Sequence, residues 1–264
     1  MPFVTPEPIE VDPLVKALTL EQVEKDISEM KRLLDNRVLE QELHEFLAHH
    51  SYFFNCIIRL HGASPLYSKI KLGSEFEVDF ACFDTGTPGP EWHLIEIEGP
   101  SDSLFNKAAD PTARLIHAIQ QVSDWQRWIH EHLEYARKLL PHIEYPMGYV
   151  FIGRDHELTQ KTRSRLRRLN YEHRSTLKVH SLDWFISAAR SVIDLVGRAG
   201  HGDWALPMHA LSHKNLAGGL PPLAQQYMID FARNPTGARD FQYHIKSRQW
   251  KYEDSDGAEG EEVI

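Results

Sequence analysis

The sequence predicts an α/β fold, a central mixed sheet flanked by helices, on three observations. Segments that alternate in polarity with period two occupy the middle of the chain, segments with apolar residues at helical spacing lie on either side, and short Gly, Pro or Asp/Asn clusters separate them. At 264 residues, 42% hydrophobic and 10% aromatic, the chain can bury one substantial core with terminal elaborations.

The proline-rich start is extended and lacks the basic opening of a signal peptide. A first helix begins near Thr19, with Gln22 completing a capping box, and carries the stripe Val23, Ile27, Met30, Leu33 and Leu34. Asp35-Asn36 interrupts it. A second helix over 38–49 buries Leu39, Leu43, Phe46 and Leu47, flanked by Glu42 and Glu45. Strands are predicted at 53–60 and 66–72, then two acidic strands at 75–83 and 91–98, with a Thr/Gly/Pro turn between them. Asp110-Pro111 starts a helix that runs to about 140, with Leu115, Ala118, Ile119, Val122, Trp125, Ile129 and Leu133 inward. A buried-type strand at 148–153, a basic helix at 158–171, a strand at 177–182 and a helix at 184–196 complete the core. Beyond Gly200 the chain is Pro/Gly-rich, with one helix over 223–233. The expected organisation is an N-terminal extended segment and helix (1–36), a core domain (37–200), a Pro/Gly-rich helical extension (201–250) and an acidic disordered tail (251–264).

The formal charge of −9 is concentrated at the end, where Glu253, Asp254, Asp256, Glu259, Glu261 and Glu262 lie; without them the body carries −3. That balance neither supports nor excludes a nucleic-acid partner. No apolar run approaches the roughly 20 residues of a membrane helix, so no membrane partner is expected and the cytoplasm is the expected location. Cys56 and Cys82 fall in predicted strands and read as small buried hydrophobes.

Chemistry concentrates on the two acidic strands. Alternation puts Glu75, Glu77, Asp79 and Ala81 on one face, and Leu94, Glu96 and Glu98 on one face of the neighbour. Two like charges about 4 Å apart repel by about 4 kcal/mol even at an effective dielectric near 20. Such a cluster must protonate, splay into solvent or hold a cation. The bland alternative is a hairpin with a charged solvent face.

The order of elements agrees with the restriction-endonuclease-like fold. The stretches Lys71-Leu-Gly, Glu75-Phe-Glu-Val-Asp-Phe80, Trp92-His-Leu-Ile-Glu-Ile-Glu-Gly-Pro100, Leu104-Phe105 and His117-Ala-Ile-Gln-Gln-Val-Ser-Asp-Trp125, continued by Gly148-Tyr-Val-Phe-Ile-Gly-Arg154 and Val179-His-Ser-Leu-Asp-Trp184, resemble the nuclease domain of Shedu anti-phage defence proteins, over roughly residues 37 to 195. That family looks like a branch of the PD-(D/E)xK nucleases. The resemblance implies a divalent-metal-dependent DNA endonuclease that self-assembles as a homo-oligomer, with Asp79 and Glu96 holding Mg²⁺ or Mn²⁺ through hard oxygens. It also implies a glutamate from the preceding helix, Glu42 with Glu45 close behind, and Gln121 of a Gln-x-x-x-aromatic element reaching the carboxylates.

Glu98 departs from the pattern, which has lysine there to stabilise the phosphorane. Glu98 is an extra metal ligand, or a lysine arrives from elsewhere (Lys69, Lys71 or Lys107), or catalysis is lost and the fold serves as a nucleic-acid-binding or assembly and sensor module. The basic run Lys161 to Arg168 reads as a solvated helix face or a phosphate-binding surface. The pairs His209/His213 and His130/His132 lack further ligands at zinc spacing. No Walker-type or dinucleotide-type Gly-rich loop and no nucleophile elbow are present.

Overall fold

The computed structural model describes residues 20–50, 52–58, 64–86, 89–140, 142–198, 210–214, 241–244, 249–253 and 259–260. Helices α1 (Leu20–Asp35), α2 (Glu40–His49) and α3 (Tyr52–Ile58) precede β1 (Ser64–Leu72), β2 (Phe76–Gly86) and β3 (Gly89–Ile97). Then come α4 (Ala113–Glu131), α5 (Leu133–Leu139), β4 (Met147–Phe151), a 3₁₀ turn (Asp155–Glu157), α6 (Gln160–Glu172), β5 (Leu177–His180), α7 (Asp183–Arg198) and β6 (Ala210–Lys214). These strands form one sheet in the order β5-β4-β3-β2-β1-β6. The centre is an antiparallel meander, β1-β2-β3, while β4 and β5 extend it in parallel on one side and β6 pairs in parallel with β1 on the other. The sheet is therefore mixed, as the sequence predicts.

Each face buries its own core. Val23 and Ile27 of α1, Leu43 and Leu47 of α2, Phe53 of α3 and Phe185 of α7 cover Phe80, Ile95 and Phe151. On the opposite face Leu115, Val122 and Trp125 of α4 cover Val78, Leu94 and Val150. None of the described helices is long and apolar enough to cross a membrane.

Four expectations differ. The segment expected as a strand at 53–60 is α3, because its largely apolar run carries no clear period and its aromatic rings pack across α7, with Phe54 and Phe185 edge-on at 5.2 Å. Cys56 thus sits on a helix. The long helix expected from 110 to 140 is capped by Thr112, whose hydroxyl accepts the Leu115 N–H, and breaks at His132, where φ is −122°. Asp110, expected as the cap, instead pairs with Arg165, 2.5 Å away. β6 lies in a stretch expected to be irregular. A second sheet, β7 (Phe241–His244), β8 (Gln249–Glu253) and β9 (Glu259–Gly260), includes part of the acidic segment expected to be disordered. The expected helix at 223–233 and the extended start fall outside the described residues.

Strand alternation slips at one place. In β2, Ala81 and Phe83 join the α4-side core and Phe80 and Cys82 the other, yet Val78 is again on the α4 side. In β1, Tyr67, Ile70 and Leu72 all reach that same core, so parity changes between 67 and 70. The residue between is Lys69, with φ +55°. A left-handed backbone at a long side chain costs about 1 kcal/mol or more and persists only where its surroundings impose it. In β2 the change of parity falls between Val78 and Phe80, at Asp79.

Candidate acidic site

The pairs Ser68 with Phe80 and Ile70 with Val78 bracket Lys69 and Asp79, which therefore face each other across β1 and β2. The pair Phe80 with Ile95 sets Asp79 beside Glu96 one step further along β3. There the β2–β3 ladder ends, and the Ile97 N–H turns to Asp79 Oδ2 at 2.9 Å. Lys69 Nζ lies 2.5 Å from Asp79 Oδ1 and 3.8 Å from Glu77 Oε1. The left-handed turn at Lys69 thus delivers an ammonium to a carboxylate that is only 7% exposed.

Glu96 is 6% exposed, and its Oε2 has no hydrogen-bond partner. Burial, reinforced by the negative charge of Asp79 and a hydrogen bond to it, holds the Glu96 carboxyl far above the usual carboxylate range. The buried Glu96 carboxyl thus favours its neutral form at physiological pH. Glu98 is 1% exposed; its N–H donates to Phe151 O at 2.8 Å and its carboxylate meets Arg114 Nε. Burial pushes Glu98 up to about 7, against the opposing pull of Arg114. Arg114 also reaches Glu40 Oε2 at 3.0 Å and lies 3.8 Å from Asp102 Oδ2, which accepts the Gly99 N–H. Glu40 is raised by burial and then by Asp79. His44 places Nε2 3.3 Å from the Asp79 carbonyl, stacks on Phe80 at 4.1 Å, and is held below its usual pKa by burial and then by Lys69.

The predicted residues are thus distributed unequally. Asp79 and Glu96 are neighbours. Glu98 is adjacent in sequence and buried, but it is committed to Arg114. Helix α2 contributes Glu40 and His44, four residues apart on one side; Glu42 lies about 200° around the helix from Glu40, is exposed, and directs its charge at Arg32. Glu45 is also exposed. Gln121 is half-buried on α4, two turns beyond Arg114, and it is Arg114 that contacts the acidic groups. Trp125 is core. Of the three candidate lysines Lys69 reaches the carboxylates, while Lys71 and Lys107 are exposed. Sequence reasoning passed over Glu40, His44, Arg114 and Asp102. The i, i+4 spacing of Glu40 and His44 beside an apolar stripe was a usable signal; Arg114 carried none.

A Mg²⁺ or Mn²⁺ ion would need open carboxylate oxygens with room for retained waters. Asp79 Oδ1 and Oδ2 are taken by Lys69 and the Ile97 N–H, and Glu98 faces Arg114. Among the described residues no group of three or more His, Cys, Asp or Glu side chains is disposed to hold a metal ion. The expected ligands Asp79 and Glu98 instead contact Lys69 and Arg114, which supply positive charge beside them.

A family model described as "Shedu protein SduA, C-terminal" matches residues 37–186. Among solved structures, that of the restriction endonuclease FokI bound to DNA matches at 17% identity with a TM-score of 0.34, covering 76% of this chain and 34% of that one. The chain thus spans about a third of that protein's length. No curated protein matches the sequence.

Proposed function

Because the chain belongs to the Shedu SduA C-terminal family, we propose that it is the nuclease-fold domain of an anti-phage defence protein, in which a restriction-endonuclease-like core binds DNA as a recognition or sensor module while its acidic centre is closed by its own cations. The observation that carries this reading is the pairing of Asp79 with Lys69 and of Glu98 with Arg114. Carboxylates that protein cations already neutralise have no need of a metal ion, and a glutamate at the lysine position of the signature cannot stabilise a phosphorane. Self-assembly belongs to the same proposal, as the route by which one bound DNA would be sensed by several copies.

Divalent-metal hydrolysis is the second reading, favoured by one specific feature. Lys69 brings to the carboxylates the lysine that the motif lacks, and Glu96 Oε2 is an unpartnered oxygen beside it. Incubation of linear and supercoiled DNA with Mg²⁺ or Mn²⁺, beside Asp79→Ala and Glu96→Ala, separates the two. The leading reading expects a DNA mobility shift, intact DNA and no calorimetric Mg²⁺ binding. Cleavage by the wild type that both substitutions abolish would sink it in favour of hydrolysis.

A further inference from the structure

We propose that a pocket between α6, β5 and the start of α7 binds one nucleotide, its base stacked on Trp184 and its phosphate paired with Arg167 and Arg163. This deepens the DNA-binding reading and rests on it for the polymer, but none of the pocket's residues belongs to the acidic cluster. The cavity measures about 220 Å³ and is lined by Trp184, Arg163, Arg167, Asn170, His180 and Ser181 among others. That is below the roughly 300 Å³ at which drug-sized pockets begin.

Trp184 is 43% exposed. Its ring stacks on His180 at 5.1 Å and 14°, and His180 stacks in turn on Phe151 at 5.7 Å. Burial, then the charge of Lys178, holds His180 down to about 4, so the stack beneath the indole is neutral. Trp184 is therefore a fixed aromatic platform at a cavity rim, the arrangement on which unpaired bases stack.

The cations are sorted along α6. Arg165 pairs with Asp110, Arg168 with Glu172, and Lys161 donates to the Ala108 carbonyl. Arg163 donates to the Asp155 carbonyl at 2.7 Å. Among the described residues Arg167 has neither an ion pair nor a hydrogen bond, and it lines the cavity. Asp155 also lines the cavity; its carboxylate accepts the Ser181 hydroxyl at 2.7 Å and lies 3.9 Å from Arg163, so a bound phosphate must take Arg163 over from it. Asn170 spends its amide on Val179, donating to the carbonyl at 2.8 Å and accepting the N–H at 2.7 Å. With the Asn170 amide and the Ser181 hydroxyl engaged, the pocket has little with which to read a base edge, which predicts binding with slight base preference. Strands β3, β4 and β5 are parallel, so the ends carrying Glu96 and His180 open on the same edge of the sheet. A single strand of DNA laid along that edge would meet both.

The test uses the full chain with a short fluorescein-labelled oligothymidylate, and with deoxyadenosine monophosphate as competitor. Trp184→Leu should weaken oligonucleotide binding about tenfold or more, and Trp184→Phe should restore most of it. Arg167→Ala should lower the slope of log affinity against log salt by about one. Competition by the mononucleotide that also depends on Trp184 supports the pocket and assigns it to free nucleotides; failure to compete supports a nucleotide within a strand. Tight binding that survives Trp184→Leu and Arg167→Ala, with thermal unfolding unchanged, overturns the pocket and leaves DNA binding elsewhere standing. No binding of either probe by the wild type overturns the pocket, and the duplex mobility shift then decides the DNA-binding reading separately.

Discussion

Two ionic clusters sit at the same edge of the sheet and solve the problem of burying charge in opposite ways. Around Arg154, 5% exposed, every partner is accounted for: Nε and Nη2 reach Asp183 at 3.0–3.3 Å, Nη2 reaches Asp35 at 2.9 Å, and Asp183 Oδ2 also accepts the Asp155 N–H at 2.7 Å. Around Asp79 the acids outnumber the cations, Glu96 Oε2 has no partner, Glu98 is raised to about 7 and Lys69 adopts a left-handed backbone. A satisfied cluster holds α1, β4 and α7 together. The unsatisfied one stores polar imbalance and backbone strain, which is how functional sites differ from scaffold.

The comparison breaks most visibly at Arg154. Arg154→Ala should cost about 3 kcal/mol in urea unfolding, since it strands the largely buried Asp183 carboxylate. A loss under about 1 kcal/mol would mean that the cluster is not a structural tie.

The next effect tests whether the acidic cluster is balanced from within. Lys69→Ala leaves Asp79 beside Glu96 without its ammonium, so an added divalent cation becomes the available counter-charge. In that variant Mg²⁺ at ten times its Kd should add about 1.4 kcal/mol, a rise of roughly 3–5 °C for a chain of this size, while the wild type should show none. A wild-type rise of equal size would mean that Lys69 does not close the site. Because Glu96 is already neutral, Glu96→Gln should change stability at neutral pH by no more than about 0.5 kcal/mol; Asp79→Asn, which removes the partner of Lys69 and the anionic acceptor of the Ile97 N–H, should cost clearly more.

Most of the frame was legible because period and punctuation are local. The acidic strands, their antiparallel pairing and the neighbourhood of Asp79 and Glu96 follow from alternation and one turn. The α3 segment was not legible, since an apolar run without period fits a buried strand or a buried helix alike, and only its packing against Phe185 decides. Nor was the partner of Glu98. Arg114 stands 16 residues further along the chain, and only the packing of α4 on the sheet brings the two together. The slip in alternation at Lys69 left no mark in composition, because a non-glycine left-handed residue is imposed by its surroundings and not by its own preference.

A further effect separates the clusters by pH. Glu98 is raised from its ordinary value of 4.5 to about 7, so the folded protein binds its proton more tightly than the unfolded chain. The stability this confers is complete below about pH 4.5 and is lost as pH rises through about 7. His93 and His180, each lowered to about 4 chiefly by burial, act with the opposite sign: the unfolded chain takes up their protons first, so stability falls as pH drops from 6.5 towards 4. Wild type therefore sums two opposed slopes in one window. Glu98→Gln removes only the descending one, so its unfolding free energy relative to wild type should climb between pH 4.5 and 7, on the order of 1 kcal/mol or more. Parallel pH profiles for the two proteins would show that Glu98 titrates like an exposed carboxylate, and the contrast between a satisfied and an unsatisfied cluster would then rest on Glu96 alone.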